Sequence, residues 1–305
     1  MSAKAILTDS ILKLSSHIPY GLGARILAWI CRQRWIQSLF FRPGLDITRR
    51  FLPLANPDLD VQEVMARSLA ANFMGSWRLI ALDRSSPKTF AHWVRIKGAD
   101  ILESAYREDK GLIVVNAHYG IPRMAPVVIS RMGHHVLSLE AVDLFTRLGI
   151  AKSNAISIMK IGGKENTPLL REVYTARKGL AKGDILHLAA DGSFGTSGID
   201  FALHGKARPF AAGFAELALH TGAKVVPVWS SIDVDGHLTV EFLPVLDPGS
   251  DDLEHSDRVR HLIQQYVAGV EKRYSDDPGN VRWVHFHRFF ALPGGAESPS
   301  SAGAP

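Results

Sequence analysis

Gly111-Leu-Ile-Val-Val-Asn-Ala-His118-Tyr-Gly-Ile-Pro122-Arg123 is the stretch of sequence that decides the fold. Its run of mostly branched apolar residues predicts a strand that is buried on both faces, as in parallel sheets. Gly120 and Pro122 then predict the end of this strand and the start of a helix. His118 therefore belongs at the carboxyl end of a strand, which is the edge where ligands bind in open α/β sheets.

Two interpretations of His118 are open at this stage. A neutral imidazole at the sheet edge can take a proton from an incoming hydroxyl, which makes His118 a candidate general base. Alternatively, the histidine only caps the strand by a hydrogen bond to the backbone. The stretch by itself does not favour either interpretation.

Strand and helix patterns alternate along the rest of the chain. Strands are predicted at 92–98, 134–139, 155–161, 184–190, 199–203, 223–232 and 237–243. Helices are predicted at 60–82, 99–107, 121–132, 166–182, 209–222 and 253–274. The chain is therefore predicted to be an α/β protein with a mixed, largely parallel sheet flanked by helices.

The composition divides the chain into three parts. With 305 residues, 46% of them hydrophobic, the chain can bury a large core. Residues 53–292 are predicted to form the α/β domain, and residues 1–52 a basic, amphipathic helical segment. Residues 293–305, rich in Pro, Gly, Ser and Ala, are predicted to be disordered.

The positive charge of the chain is concentrated in its first 50 residues. Eight Lys or Arg residues face two Asp residues there, whereas the rest of the chain is close to neutral. Trp and Phe residues lie between these cations at helical spacing. This pattern predicts an interfacial helix on an anionic membrane, with nucleic acid excluded as a partner. The alternative is a helix that packs on the protein's own core and leaves its arginines in solvent.

Several other classes are excluded by missing motifs. The single Cys31 excludes an internal disulfide framework and a cysteine cluster for zinc, and it is typical of a reducing compartment. No uncharged run reaches the roughly 18–20 residues that span a bilayer. The chain has no phosphate-binding G-x-x-x-x-G-K-[ST] motif and no G-x-S-x-G nucleophile elbow.

A set of motifs resembles a known family. These motifs, in chain order, are His118 at a strand end, Asp191-Gly192 after a later strand, His204-Gly-Lys-Ala-Arg-Pro209, Thr221-Gly-Ala-Lys-Val-Val-Pro-Val228 and Leu243-Pro-Val-Leu-Asp-Pro248. Together they resemble the bacterial lipid A lauroyl/myristoyl acyltransferases of the lysophospholipid acyltransferase superfamily. The resemblance extends from about Pro53 to Arg288 and implies a glycerolipid-acyltransferase-like fold.

The resemblance also implies a reaction and a cellular location. Members of this family move an acyl chain from acyl carrier protein or coenzyme A to a hydroxyl or amine of a membrane lipid or glycolipid. They need no metal or redox cofactor, and the expected location is peripheral, on the cytoplasmic face of the inner membrane. In the family motif, a histidine base is followed five positions later by an Asp or Glu that orients it. His118 matches the first position, but Arg123 does not match the second.

The missing acid leaves several alternatives. Glu140, Asp143 or Asp191 can supply the carboxylate, because each follows a predicted strand that ends at the same sheet edge. Arg123 can instead bind an anionic group of the substrate beside the reacting hydroxyl. If no carboxylate orients His118, the protein is a lipid-binding member with weak or no activity. Hydrolysis of the thioester by water in the same site is a third alternative.

We interpret a second basic cluster as a phosphate-binding site, or phosphate clamp. Lys206 and Arg208 precede Pro209, which is predicted to open a helix, so two cations and free backbone N–H groups would converge there. The alternative is a turn with two solvated cations. Further candidate substrate-binding residues are Tyr119, Gly192 and Ser193, although Gly192 replaces a glutamine of the family.

Overall fold

The computed structural model describes residues 17–106, 110–140, 145, 149–150, 155–160, 169–191 and 198–281. The strands among these residues are β1 (Val94–Lys97), β2 (Leu112–Asn116), β3 (Val136–Glu140), β4 (Ile156–Lys160), β5 (Ile185–Ala189), β6 (Gly198–Leu203), β7 (Lys206–Ala211), β8 (Lys224–Ile232) and β9 (Leu238–Phe242). The helices are α1 (Tyr20–Arg32), α2 (Arg34–Phe40), α3 (Arg42–Ala55), α4 (Val61–Asn72), α5 (Gly75–Asp83), α6 (Pro87–Trp93), α7 (Ala99–Tyr106), α8 (Met124–Arg131), α9 (Leu169–Leu180), α10 (Gly213–Thr221) and α11 (His255–Asp276).

Seven strands form one sheet in the order β1-β9-β8-β2-β5-β3-β4. Neighbouring strands run parallel except β8 and β9, which are joined as an antiparallel hairpin. The prediction of a mixed, largely parallel sheet flanked by helices is confirmed. Strand β2 lies at the centre, and its neighbours are β8 and β5, neither of which is adjacent to it in sequence.

Both faces of the central strand are buried, as the apolar run predicts. Leu112 and Val114 belong to one core cluster, which includes side chains of α1, α5, α7 and α8. Ile113 and Val115 point to the other face and join a second cluster with α9, α10 and α11. This alternation follows from the two-residue period of a strand and accounts for the apolar run from Leu112 to Val115.

The predicted helix at 60–82 is two helices. Asp60 caps α4 as expected, because its Oδ1 accepts a hydrogen bond from the Gln62 backbone N–H at 2.8 Å. The helix then ends at Asn72, and Met74 has a φ of +58° before α5 begins. Because both helices have apolar faces of the same period, the sequence pattern does not show the break between them.

The prediction of a helix beginning at Pro209 is wrong. Residues 206–211 form strand β7, which pairs antiparallel with β6 in a separate two-stranded sheet, and α10 begins only at Gly213. His204 and Gly205 connect the two strands with φ values of +48° and +74°, as in a tight hairpin turn. Pro209 is tolerated because an edge strand does not require every backbone N–H.

The N-terminal helices have both a buried and an exposed apolar face. Tyr20, Ala24 and Leu27 of α1 pack against the core, whereas the opposite face of this helix exposes the large apolar residues Leu22, Ile26 and Trp29. No helix in the described part of the chain is long and apolar enough to cross a membrane. The division at residue 52 and the disordered tail stay predictions, and residues 293–305 lie outside the described residues.

Candidate active site

Parallel pairing of β2 with β5 brings His118 and Asp191 together. Asn116, the last residue of β2, is level with Ala189, the last residue of β5, and each candidate lies two residues further along its chain. His118 Nδ1 lies 2.7 Å from Asp191 Oδ1, and the His118 backbone N–H donates to Asp191 Oδ2 at 2.9 Å. Among the candidate carboxylates that the structure describes, Asp191 and Glu140, Asp191 is therefore the one that contacts His118.

The Asp191 carboxylate is buried but well supplied with hydrogen-bond donors. Its side chain is 1% exposed, and besides His118 it accepts a hydrogen bond from the Tyr274 hydroxyl at 3.3 Å. The Arg208 guanidinium donates to the backbone carbonyl of Asp191. Burial alone would raise the pKa of Asp191, but the charge and hydrogen bonds of His118, together with Arg208, hold this pKa well below its ordinary value. Asp191 is therefore a carboxylate at neutral pH.

An ionised Asp191 fixes the role of each nitrogen of His118. A carboxylate only accepts hydrogen bonds, so Nδ1 carries the proton and Nε2 carries the lone pair. The His118 side chain is 24% exposed, whereas Asp191 is covered. The pair thus has the arrangement of a general base with its orienting acid.

The backbone after His118 is held by the C-terminal part of the domain. The Gly120 N–H donates to the Asn280 carbonyl at 2.6 Å, and the Ile121 N–H donates to the Ser230 carbonyl at 2.9 Å. Gly120 has a φ of +58°, and a Cβ there would lie 1.9 Å from the Ser230 oxygen. Only glycine permits this close approach, which keeps the His118 loop in place.

Tyr119 does not line a surface site. It is 1% exposed, its ring stacks on Tyr274, and its hydroxyl donates to Asp277 Oδ2 at 3.0 Å. These contacts give no support to the predicted role of Tyr119 in substrate binding, which stays a prediction. Its side chain belongs to the core beneath the loop, because the chain turns inward directly after His118.

Glu140 pairs with Arg123 instead of orienting His118. Arg123 Nε donates to Glu140 Oε2 at 2.9 Å, and Arg123 Nη2 lies 2.8 Å from the same oxygen. The suggestion that Glu140 supplies the missing carboxylate is therefore wrong, for a topological reason. Strand β5 lies between β2 and β3, so Asp191 occupies the position next to His118.

A buried hydrogen-bond chain supports this ion pair from below. Glu140 Oε1 accepts from the Ser138 hydroxyl at 3.1 Å, and Ser138 Oγ lies 2.9 Å from His187 Nδ1. His187 Nε2 lies 2.8 Å from the Asn116 amide nitrogen, which must be the donor. The His187 ring is therefore protonated at Nδ1 only, and it links β2, β5 and β3 beneath the candidate site.

His187 gives a prediction for the pH dependence of stability. Burial, and then the charge of Arg123, lower the pKa of His187 from 6.5 to about 3. Between these two values the unfolded chain binds a proton that the folded chain does not, so stability falls as the pH falls from 6.5. We expect His187→Gln to remove a slope of up to about 1.4 kcal/mol per pH unit. Urea unfolding of both proteins between about pH 7 and 5 measures this slope, and equal slopes would contradict the prediction.

The predicted phosphate clamp is not at a helix terminus. Lys206 and Arg208 lie on strand β7, and Arg208 is 5% exposed, with its guanidinium bonded to the backbone of Asp191. The prediction of two cations at a helix N-terminus is therefore wrong, because the chain forms a hairpin where a helix was expected. Arg208 instead helps to hold Asp191.

Three candidate residues fall outside the described part of the chain. These are Asp143, Gly192 and Ser193, and their proposed roles stay predictions. Conversely, sequence reasoning missed Tyr274 and His187. Tyr274 lies on the apolar face of α11 and His187 within an apolar strand, so hydrophobic periodicity marks both as core residues and does not reveal their polar contacts.

Comparison with known proteins identifies the family of the chain. No curated protein was found that matches the chain with statistical significance. The family model described as bacterial lipid A biosynthesis acyltransferase matches residues 49–290, which include every strand of both sheets and the His118–Asp191 pair. The chain therefore belongs to the bacterial lipid A biosynthesis acyltransferase family.

Proposed function

We propose that the protein transfers a fatty acyl chain from an acyl thioester to a hydroxyl or amine of a membrane lipid or glycolipid. The donor is the thioester of acyl carrier protein or coenzyme A. The observation that carries the proposal is the 2.7 Å contact between His118 Nδ1 and Asp191 Oδ1. This contact provides a base with an orienting acid, although Arg123 stands where the family motif has its acid. The acid is instead Asp191, which follows β5.

The reaction proceeds in two proton transfers at one imidazole. His118 Nε2 takes the proton of the acceptor hydroxyl while the oxygen attacks the thioester carbonyl. The C–S bond then breaks, the ester forms, and the imidazolium returns its proton to the departing thiolate. Asp191 stabilises the imidazolium between these steps and keeps the ring in the reactive tautomer.

The products of a single assay test this proposal against its alternatives. Purified protein is incubated with myristoyl-acyl carrier protein or myristoyl-coenzyme A and a bacterial inner-membrane lipid extract, and the products are identified by mass spectrometry. The proposal expects a lipid that has gained one acyl chain. Free fatty acid alone would indicate a thioester hydrolase, and unchanged donor would indicate a lipid-binding member without turnover; either result would contradict the proposal.

The acceptor lipid suggests where the protein works. We place the protein on the cytoplasmic face of the inner membrane, bound peripherally through α1 and α2. Six exposed large apolar residues support this placement: Ile18, Leu22, Ile26, Trp29, Trp35 and Leu39. Leu22, Ile26 and Trp29 of α1 lie on one face of the helix because of their spacing, and Arg25 lies beside them. Apolar side chains and cations on one face suit an anionic bilayer surface.

Loss of the exposed tryptophans should weaken membrane binding without unfolding the protein. Trp29 and Trp35 are 60% and 61% exposed, so W29S/W35S removes little core packing. Each inserted side chain contributes on the order of 1.5–3 kcal/mol, so we expect at least tenfold weaker binding. Co-sedimentation with vesicles of phosphatidylglycerol and phosphatidylethanolamine measures the change.

The control is Tyr174→Ser. Tyr174 is 65% exposed on α9, which packs in the core cluster on the other face of the sheet from α1. This variant should bind vesicles as the unaltered protein does. Equal binding by W29S/W35S and the unaltered protein would contradict the membrane role of α1 and α2.

A further inference from the structure

Two cations lie at the sheet edge that holds His118, among the residues that the structure describes. Arg123 pairs with Glu140, the last residue of β3, and Lys160 is the last residue of β4. Lys160 is exposed and lies level with Glu140 on the neighbouring strand β4. Cations at this edge favour an anionic ligand.

Arg123 is held in place but not covered. Its Nε and Nη2 contact the same oxygen of Glu140, and the other oxygen of Glu140 is held by Ser138. The side chain of Glu140 is 8% exposed, whereas that of Arg123 is 27% exposed. A guanidinium has five N–H donors, and the one at Nε donates to Glu140. Nη1 makes no hydrogen bond to any residue that the structure describes.

Arg123 lies close enough to His118 for one ligand to contact both residues. Glu140 ends β3 and His118 follows β2, with only β5 between the two strands. Two strand spacings amount to about 10 Å, so the Arg123 guanidinium lies at roughly this distance from the His118 strand. A ligand that contacts His118 can therefore reach Arg123 with a group a few bonds away from its reacting atom.

We propose that Arg123 binds a phosphate group of the substrate, with Glu140 as the residue that positions it. A guanidinium fixed on one side by a carboxylate presents its remaining donors in a plane, and paired N–H groups in a plane match two oxygens of a phosphate. This inference rests on the proposed acyl transfer and specifies its substrate. The phosphate belongs either to the acceptor lipid or to the phosphopantetheine of the donor.

Two pairs of ligands, each differing by one phosphate, test this site by binding alone. The acceptor pair is oleoyl lysophosphatidic acid and monooleoylglycerol, and the donor pair is myristoyl-4′-phosphopantetheine and myristoyl-pantetheine. Dissociation constants are measured in detergent micelles for the unaltered protein and for R123Q/E140Q. The double variant is used because R123Q alone would leave the buried Glu140 carboxylate without its cation.

We expect R123Q/E140Q to bind the phosphate-bearing member of one pair about 10- to 100-fold more weakly. The phosphate-free member should change by less than about twofold, and the pair that responds identifies the source of the phosphate. R95Q, which removes one exposed cation of β1 at the far side of the sheet, should change neither pair. Equal weakening of both members of a pair, no change in either pair, or the same loss in R95Q would overturn the proposal.

The binding readout keeps this proposal separate from the catalytic one. H118A should retain the preference for the phosphate-bearing ligand, because Arg123 and Glu140 are intact. If H118A still turns over substrate, the proposed base is wrong although the phosphate site stands. If the preference survives in R123Q/E140Q, the phosphate site is wrong although the proposed base stands.

Discussion

Replacement of His118 by alanine is expected to slow acyl transfer by about 10²- to 10⁴-fold, the usual contribution of a positioned general base. The alanine removes Nε2, so no group at the end of β2 takes the proton of the acceptor. The ring is partly exposed and its loss creates no core cavity, so the fold should persist. Initial rates of transfer of a radiolabelled myristoyl chain into the lipid extract measure the effect.

His135→Ala is the matched control for this variant. His135 lies directly before strand β3 and, like His118, contacts an aspartate through Nδ1, which is 3.1 Å from Asp184 Oδ1. It lies at the amino edge of the sheet, opposite His118, and should leave the rate within about threefold of the original. An unchanged rate in H118A, or an equal loss in H135A, would rule out the specific role of His118.

Asp191→Asn is expected to lower kcat by about 10²- to 10⁴-fold with little change in KM. Asparagine has nearly the same shape but no charge, and its amide group donates hydrogen bonds where the carboxylate only accepts them. The His118 ring would then favour the tautomer with its proton on Nε2. A protonated Nε2 cannot take the proton of the acceptor hydroxyl. The same substitution in the serine protease triad costs about 10⁴-fold in kcat.

Asp184→Asn is the control for the loss of an aspartate charge. Asp184 contacts His135 at the far edge of the sheet, so D184N removes an Asp–His contact that has no part in the proposed reaction. Thermal unfolding of D191N and D184N reports whether either variant perturbs the fold. A folded D191N protein with unchanged kcat would mean that Asp191 does not orient the base.

The central strand and its histidine could be predicted because their pattern is local. A run of branched apolar residues fully buried in β2, followed by glycine and proline, needs no information from the rest of the chain. The largely parallel sheet follows from the alternation of strands and helices. By contrast, the hairpin at His204 and Gly205 was missed, because residues 206–222 contain both strand and helix patterns.

The partner of His118 could not be chosen from the sequence alone. Glu140 follows the next strand along the chain and Asp191 follows a later one, and order in the chain does not decide between them. Strand β5 lies between β2 and β3, and this brings Asp191 next to His118. Strand order depends on packing between distant segments, and one sequence without relatives carries little information about it.

A double-variant comparison of His118 and Asp191 tests most directly the claim that these two side chains act as one base. Transfer rates are measured for H118A, D191N and H118A/D191N under the same conditions. If Asp191 acts only through His118, the double variant is no slower than H118A, within about twofold. If D191N slows the H118A protein by a further factor of about a hundred, Asp191 acts independently of His118 and the account is contradicted.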